Sequence, residues 1–370
     1  MLLTILAFIG VLAVLVLVHE LGHFLTARAH RVRVLEFGFG YPPKLLSFRK
    51  GETIYSLNLL PLGGFVKLEG EENPTSPRSL ASKGLPTRFN VLIAGAAMNL
   101  LLPLAIFTGL FIWPQETLVG RVVIQKVMPN SPAALAGLKP GDRVLTINGR
   151  KIENNRDLAY TVTLKRGATT DWLVERTEAP PITLPSTIDP TMYQGKTERL
   201  TLYLVPRWRP PEGEGPTGIV IGTVNPKVIA RSYPFWQAVP KAVQHTGEVL
   251  ILARNEVVGW FIGRSSPQLA GPIGIAQMTG EVARAGWLPL LEFTGLLSLN
   301  LAILNVLPIP MLDGGRLLFL AIEFVRRGKR VPPDKEALVH MIGFAVLVGA
   351  VVIISYFDIA RILSGNSTLR

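Results

Sequence analysis

Four apolar segments, each long enough to cross a lipid bilayer, constrain the fold of this 370-residue chain. A helix needs about 20 apolar residues to span the hydrocarbon core. The four segments have no Asp, Glu, Lys or Arg at their centres, and they predict spans at about 2–29, 91–113, 293–312 and 337–360. A cleaved signal peptide is the alternative for the first segment, but no Lys or Arg precedes it and no clear cleavage site follows it.

The composition supports a membrane protein. Hydrophobic residues make up 48% of the chain, and the formal net charge is +12. This combination is typical of a membrane protein whose basic loops face the anionic cytoplasmic leaflet. We therefore expect the lipid bilayer as a partner and no nucleic acid, because no nucleic-acid-binding motif accompanies the charge. The chain has no cysteine, which excludes disulfides and thiolate metal ligands.

The distribution of basic residues predicts the orientation of the spans. Lys and Arg are concentrated between the first and second spans, from Arg28 to Arg88, and between the third and fourth, from Arg326 to Lys335. Loops rich in these residues lie on the cytoplasmic side. The N-terminus, the segment from about 114 to 287 and the C-terminus are therefore expected outside.

The inner end of the first segment carries the sequence His19-Glu20-Leu21-Gly22-His23. On a helix this spacing places both imidazoles on one face, where they can bind Zn²⁺, and the glutamate can act as a general base for water. Ionisable residues at membrane depth are costly and mark functional sites. We predict a zinc centre on the cytoplasmic side, with His19 and His23 as metal ligands and Glu20 as the catalytic residue.

A catalytic zinc centre needs a third protein ligand. We expect Asp313 to supply it, because it closes the third predicted span and this span ends on the same side as the first. The alternative for Asp313 is a cap or turn role before Gly314 and Gly315. Pro308 and Pro310 break the helix just before it, which is typical of backbone that lines a cavity or is buried in protein at membrane depth.

The His19–His23 run, together with the run Asn305-Val-Leu-Pro-Ile-Pro-Met-Leu-Asp313-Gly, resembles the site-2 protease family of intramembrane zinc metalloproteases. Within that family the regulator of sigma-E protease branch is the most similar. The resemblance implies that His19, His23 and Asp313 bind zinc and that Glu20 is the catalytic acid and base.

Candidate substrate-binding residues lie in two places. The resemblance implies that Asn305 holds the substrate backbone near the metal, with an interhelical hydrogen bond as the alternative; Pro308 and Pro310 follow in the same run. Residues 53–68, which include Gly63 and Gly64, read as two short apolar strands around a Pro/Gly turn. They resemble the family's membrane-reentrant β-hairpin, where an extended substrate can be held by strand addition; an ordinary surface hairpin is the alternative.

The segment outside the membrane is expected to contain an inserted β-rich domain at 117–210. From Ser131 to Gly149 a short helix, a Gly/Pro turn, a strand and an Asn-Gly turn follow one another. This run resembles a bacterial protease-associated PDZ domain, with a β-sandwich fragment as the alternative. A linker with an interfacial amphipathic helix is predicted at 211–286. The membrane core then comprises 1–113, with a cytoplasmic or reentrant β region at about 32–70, and 287–370.

The resemblance implies a multi-pass protein of the bacterial inner membrane. Its expected substrates are membrane-spanning proteins such as anti-sigma factors, with signal-peptide remnants as a second class. One alternative is a catalytically inactive membrane PDZ adaptor, but zinc kept only for structure would not require Glu20. Another is a transporter with broken helices, which predicts inverted repeats that the sequence does not show.

Overall fold

The computed structural model describes residues 1–71, 74, 76–177, 197–263 and 270–364. The chain forms two compact units, Met1–Leu110 with Gln268–Arg370, and Phe111–Pro267. We call them the helical unit and the sheet unit. In the described residues the α-helices of the helical unit are α1 Leu2–Ala29, α2 Leu85–Ile112, α6 Pro272–Ala285, α7 Trp287–Val306, α8 Asp313–Val325 and α9 Pro333–Leu363.

Four of these helices, α1, α2, α7 and α9, are long and apolar enough to cross a membrane. The predicted number of spans is therefore confirmed. The second helix begins at Leu85 instead of at about residue 91, because its first turns include Thr87 and Arg88, which precede the apolar segment.

The third span differs from the prediction, since α7 covers 287–306 instead of 293–312. Leu307 leaves the helical region, with φ −62° and ψ 143°, because a residue that precedes proline disfavours the α conformation. Asp313 consequently does not close the third span. It begins a separate helix, α8, after a non-helical segment at 307–312.

The helical unit also contains a small sheet made of β1 (Val34–Lys50) and β2 (Thr53–Leu68). Phe37 of β1 pairs with Tyr55 and also with Val66, so both halves of β2 pair with the same part of β1. The strands predicted around Pro61 are confirmed, but the hairpin predicted between them is wrong. The chain instead reverses at the turn between Lys50 and Thr53. Both halves of β2 take β1 as their pairing partner, and this partner cannot be identified from residues 53–68 alone.

Among its described residues, the sheet unit is built on a six-stranded sheet of order β7-β6-β4-β3-β8, with β5 paired to β4. Its strands are β3 Gln115–Val127, β4 Arg143–Ile147, β5 Arg150–Lys151, β6 Thr170–Thr177, β7 Thr197–Leu204 and β8 Ile219–Arg231. Its helices are α3 Pro132–Leu135, α4 Asn155–Leu164 and α5 Phe235–Phe261. The sequence of short helix, strand and Asn-Gly turn predicted from Ser131 to Gly149 is present; the assignment to a PDZ fold stays a prediction.

The predicted linker at 211–286 is wrong in part. Strand β8 pairs with β3 along its length, from Gln115 with Arg231 to Val127 with Ile219. This backbone pairing adds β8 to the sheet beside β3, so the strand belongs to the domain that was expected to end at 210. The predicted amphipathic helix is present as α5, and its place at a membrane interface stays a prediction.

A candidate metal centre in the helical unit

Helix α1 presents His19 and His23 one turn apart, and the chain brings Asp313 to them from 290 residues away. The Nε2 atoms of the two histidines are 3.3 Å apart. Each Nε2 atom lies 3.2 Å from Oδ2 of Asp313. The predicted convergence of these three side chains is therefore observed.

This triangle of donor atoms fits a zinc ion. In a tetrahedral site with metal–ligand distances of about 2.0–2.1 Å, neighbouring ligand atoms lie about 3.3–3.4 Å apart, close to the three separations observed. Two imidazole nitrogens and a carboxylate oxygen are ligands that zinc accepts. The three side chains remain 12 to 18% exposed, so the cluster is not sealed from water. Among the described residues it is the one group of three or more His, Cys, Asp or Glu whose ligand atoms converge in this way.

Close contact between α1 and α2 is made possible by Gly95. A Cβ atom at Gly95 would lie 2.6 Å from Cε1 of His19 and would also collide with Nε2 of His23. Only a glycine lets the backbone of α2 approach both imidazoles at this distance. Sequence reasoning did not identify Gly95, although the small residues from Ala94 to Ala96 carried a signal, because such runs mark close helix packing in membranes.

The Nδ1 atom of each imidazole, which does not face the triangle, makes a further contact. Nδ1 of His23 lies 2.7 Å from the carbonyl oxygen of Val91, which requires His23 to donate through Nδ1 and leaves Nε2 as an acceptor. Nδ1 of His19 lies 3.3 Å from the side-chain amides of both Asn99 and Asn305. Such contacts fix the tautomer and orientation of metal-binding histidines.

The orientation of the Asn99 amide follows from this tautomer. As placed, its nitrogen faces His19, and its buried Oδ1 has no hydrogen-bond partner in the described residues. The two ends of an amide are assigned from the hydrogen-bond network. A half-turn of the amide lets Oδ1 accept a hydrogen bond from Nδ1 of His19, which satisfies both atoms. Asn99 of α2 thus contacts the first helix through His19.

Asp313 is held by the broken segment that precedes α8. Met311 adopts φ +77°, and its backbone N–H donates to Nδ1 of His340 over 2.9 Å. Pro308 and Pro310 lie in this segment, and Asn305 lies in the last turn of α7 before it. Of these residues, Asn305 contacts the metal cluster, because its side-chain amide lies against His19. Substrate binding by Asn305, Pro308 and Pro310 stays a prediction.

Glu20 projects from the same helix as the two histidines and lies next to β2. A Cβ atom at Gly64 would be 3.1 Å from Cγ of Glu20 and 2.7 Å from Cγ1 of Val16. A glycine is thus needed where β2 passes Glu20. Gly63 has φ +155°, and a Cβ atom there would be 2.8 Å from the ring of Tyr41. The structure therefore places both predicted glycines on the strand that runs beside Glu20.

Comparisons with known proteins agree with this geometry. The model of Peptidase family M50 matches residues 7–350. The chain is 30% identical to the zinc metalloprotease RasP of Geobacillus kaustophilus, over 97% of this chain and 98% of that protein. It is 32% identical to a putative zinc metalloprotease of Clostridium acetobutylicum, over 94% of each chain. It is 33% identical to one of Clostridium perfringens, over 93% of this chain and 95% of that protein.

Proposed function

Because the chain belongs to Peptidase family M50, we propose that it is a membrane zinc endopeptidase that cleaves peptide bonds within or beside the membrane-spanning segments of other proteins. The observation that carries this proposal is the triangle formed by His19, His23 and Asp313 at the end of a membrane-spanning helix. His19, His23 and Asp313 are the proposed zinc ligands. Relatives named zinc metalloproteases support the choice of metal.

When bound, Zn²⁺ supplies Lewis-acid activation of a water molecule and of the scissile carbonyl. The chain supplies the proton transfers. The carboxylate of Glu20 takes a proton from the attacking water and returns it to the leaving nitrogen, which is general base and then general acid catalysis. Val91 and Asn99 keep the imidazole rings of His23 and His19 in the tautomer that leaves Nε2 free of a proton.

Substrate presentation is proposed to use β2. A transmembrane helix hides its peptide carbonyls in internal hydrogen bonds, so it must be unwound before cleavage. The part of β2 at Gly63 and Gly64 passes beside Glu20, where an extended chain can add as a further strand. Asn305, Pro308 and Pro310 are proposed to contact the same chain from the broken segment between α7 and α8.

The cellular setting is also a proposal. The relatives are bacterial proteins, and the basic loops favour an orientation with the metal centre near the cytoplasmic side of the inner membrane. We propose membrane-spanning regulators such as anti-sigma factors as substrates. The sheet unit is proposed to contain an extracytoplasmic PDZ-like domain, which either captures a new carboxyl terminus by strand addition or keeps bulky ectodomains away.

The decisive experiment is Glu20→Gln in the purified full-length protein. Cleavage of a single-span substrate already trimmed on its outer side should fall by about 10²- to 10⁴-fold, the usual contribution of general acid–base catalysis, while zinc content by elemental analysis is unchanged. The matched control, Glu212→Gln, changes an exposed carboxylate of the sheet unit and should leave cleavage intact. Unchanged cleavage by Glu20→Gln would rule out Glu20 as the general base. If the wild-type protein binds the substrate but does not cleave it, the adaptor function would be favoured.

A further inference from the structure

Beyond the metal centre, the helical unit contains a basic cleft at the end of α1. Its cavity measures about 690 Å³, a volume within the usual range of ligand sites. Six of its lining residues are cationic, and Glu52 is the one carboxylate among them. The six are Arg28, Arg31, Arg33, Lys50, Arg78 and Lys83.

The charges of this basic cleft are not balanced from within. Glu52 lies 3.1 Å from Arg33 and 2.8 Å from Arg78, and so is shared by two cations; Arg33 also lies 3.9 Å from Glu69, which does not line the cleft. Arg31, Lys50 and Lys83 have no acidic partner in the part of the chain that the structure describes. A positive-inside loop needs basic residues, but it does not need them to converge from separate segments on one concavity. An anion in the cleft would relieve their mutual repulsion.

A second cavity of the same unit shows what a balanced site looks like. It measures about 270 Å³ and is lined by three arginines and three glutamates. There Arg88 and Glu323 form a buried ion pair, and Arg330 donates to the same glutamate over 3.2 Å. Those guanidinium groups already have carboxylate partners, whereas the basic cleft has one carboxylate for six cations.

The surroundings of the basic cleft favour an amphiphilic anion over a free one. Arg28 lies in the last turn of α1, a helix long enough to span the membrane. In the proposed orientation, the end of such a helix lies at the depth of the lipid headgroups. Tyr55 lines the cleft, and Phe48, which is 64% exposed, stacks on it at 5.2 Å between ring centroids. Arginine side chains bind phosphate groups through two parallel hydrogen bonds, and basic pockets beside membrane helices hold anionic headgroups.

We propose that the basic cleft binds the phosphate of an anionic phospholipid. The headgroup lies among the cations, and the acyl chains leave past Phe48. This inference rests on the proposed orientation of α1, with its basic end at the cytoplasmic surface. It does not rest on proteolysis, so lipid binding is measured in the Glu20→Gln background, where the protein cannot cleave itself or other chains.

The test compares two triple variants that remove the same charge. The cleft variant is Arg31→Asn, Lys50→Gln and Lys83→Gln. The control is Arg326→Gln, Arg327→Asn and Lys329→Gln, on the exposed loop between α8 and α9. Arg31 and Arg327 have φ +57° and +55°, and asparagine suits this conformation in both. Zinc content reports that each variant is folded.

Full-length protein is placed in nanodiscs of phosphatidylcholine with a minor share of phosphatidylglycerol, and retained lipid is measured by native mass spectrometry. The starting protein, which carries only Glu20→Gln, and the control should retain phosphatidylglycerol at similar levels. The cleft variant should retain at least about tenfold less, because several charge-assisted hydrogen bonds are lost. The single variant Lys83→Gln should weaken retention several-fold if the triple variant does not fold. Equal loss in the cleft variant and the control, or no preferential retention by the starting protein, overturns the proposal.

Inorganic phosphate separates the two sources of the ligand. It is titrated by calorimetry into protein in pure phosphatidylcholine nanodiscs, and it is also added to protein in the nanodiscs that contain phosphatidylglycerol, where lipid retention is measured again. Displacement of phosphatidylglycerol by low-millimolar phosphate would identify a soluble-anion site and overturn the lipid assignment. No saturable uptake of phosphate, with lipid retained, supports it.

Discussion

The two units differ in the share of polar residues among their fully buried side chains. In the sheet unit the fully buried side chains are mainly apolar, among them Ile124, Ile147 and Trp172. In the helical unit Asn99 and Ser298 are fully buried and Asp358 is 1% exposed, whereas apolar side chains of α9 such as Val346 face outward with 67% exposed. An apolar core of this kind is what the hydrophobic effect favours in a unit that folds in water. Lipid outside the helical unit offers no such drive, so packing and polar contacts hold its helices together.

This difference predicts how each unit responds to substitution. Truncation of a large apolar residue should destabilise the sheet unit, while the metal centre should be most sensitive to polar and small residues. Four comparisons test this division.

The largest effect is expected from Asp313→Ala. This change removes one of three proposed ligands, so zinc content should fall to background and proteolysis should be lost. The control Asp334→Ala removes an exposed carboxylate in the first turn of α9 and should change neither quantity. Elemental analysis and cleavage of a single-span substrate measure both. Full retention of zinc and activity by Asp313→Ala would rule out its role as a ligand.

The second prediction concerns a single methyl group, in Gly95→Ala. The added Cβ would lie 2.6 Å from Cε1 of His19, so the rings must shift and zinc affinity should fall by more than about 100-fold, beyond the usual effect of residues that only orient ligands. Gly109→Ala lies in the same helix with open space around its Cβ. It should retain zinc and add slightly to helix stability. Normal affinity in Gly95→Ala, measured by chelator competition, would show that α2 can move away.

The third prediction moves to the sheet unit, with Trp172→Ala. Trp172 is fully buried, and its indole N–H donates to Thr170 over 2.9 Å. Its loss should lower the free energy of unfolding by about 3–5 kcal/mol. The control Tyr203→Ala removes an aromatic ring that is 66% exposed on the adjacent strand. Limited proteolysis at increasing denaturant concentration measures the unfolding of the sheet unit. Zinc content should stay normal in both variants. Loss of zinc in Trp172→Ala would contradict this division of roles between apolar residues of the sheet unit and polar and small residues of the metal centre.

Much of the metal centre could be predicted from the sequence because its chemistry is local. The spacing of His19 and His23 fixes their common face, and Asp313 was found from the matching depth of its segment. The end of α7 was misplaced by six residues, since hydropathy follows the apolar run through Leu312 while Pro308 ends the helix at Val306. Hydropathy measures the environment of a segment, and backbone stereochemistry decides where the helix stops.

The residues that were missed depend on contacts between distant segments. Gly95 matters because α2 crosses α1 at the two imidazoles, and Val91 matters through its carbonyl group, which every residue has. Likewise, the pairing of both halves of β2 with β1 could not be derived from residues 53–68. A side-chain motif identifies the ligands, but close approach and backbone acceptors follow only from the packing.

The smallest effect is expected at Asn99, and it separates packing from hydrogen bonding. If Oδ1 accepts a hydrogen bond from Nδ1 of His19, Asn99→Leu should weaken zinc binding by about 10- to 100-fold, the usual effect of losing a partner of a metal-binding histidine. Asn99→Asp keeps an acceptor at this position and should retain most of the affinity. The control Ser298→Ala removes a hydroxyl that donates to the backbone carbonyl of Asn99 over 2.8 Å. It therefore weakens the contact of α7 with the same residue of α2 without touching His19, and it should leave zinc affinity unchanged. An affinity for Asn99→Asp as low as that of Asn99→Leu would mean that the amide must donate, which would require the other tautomer of His19 and a different metal-binding nitrogen.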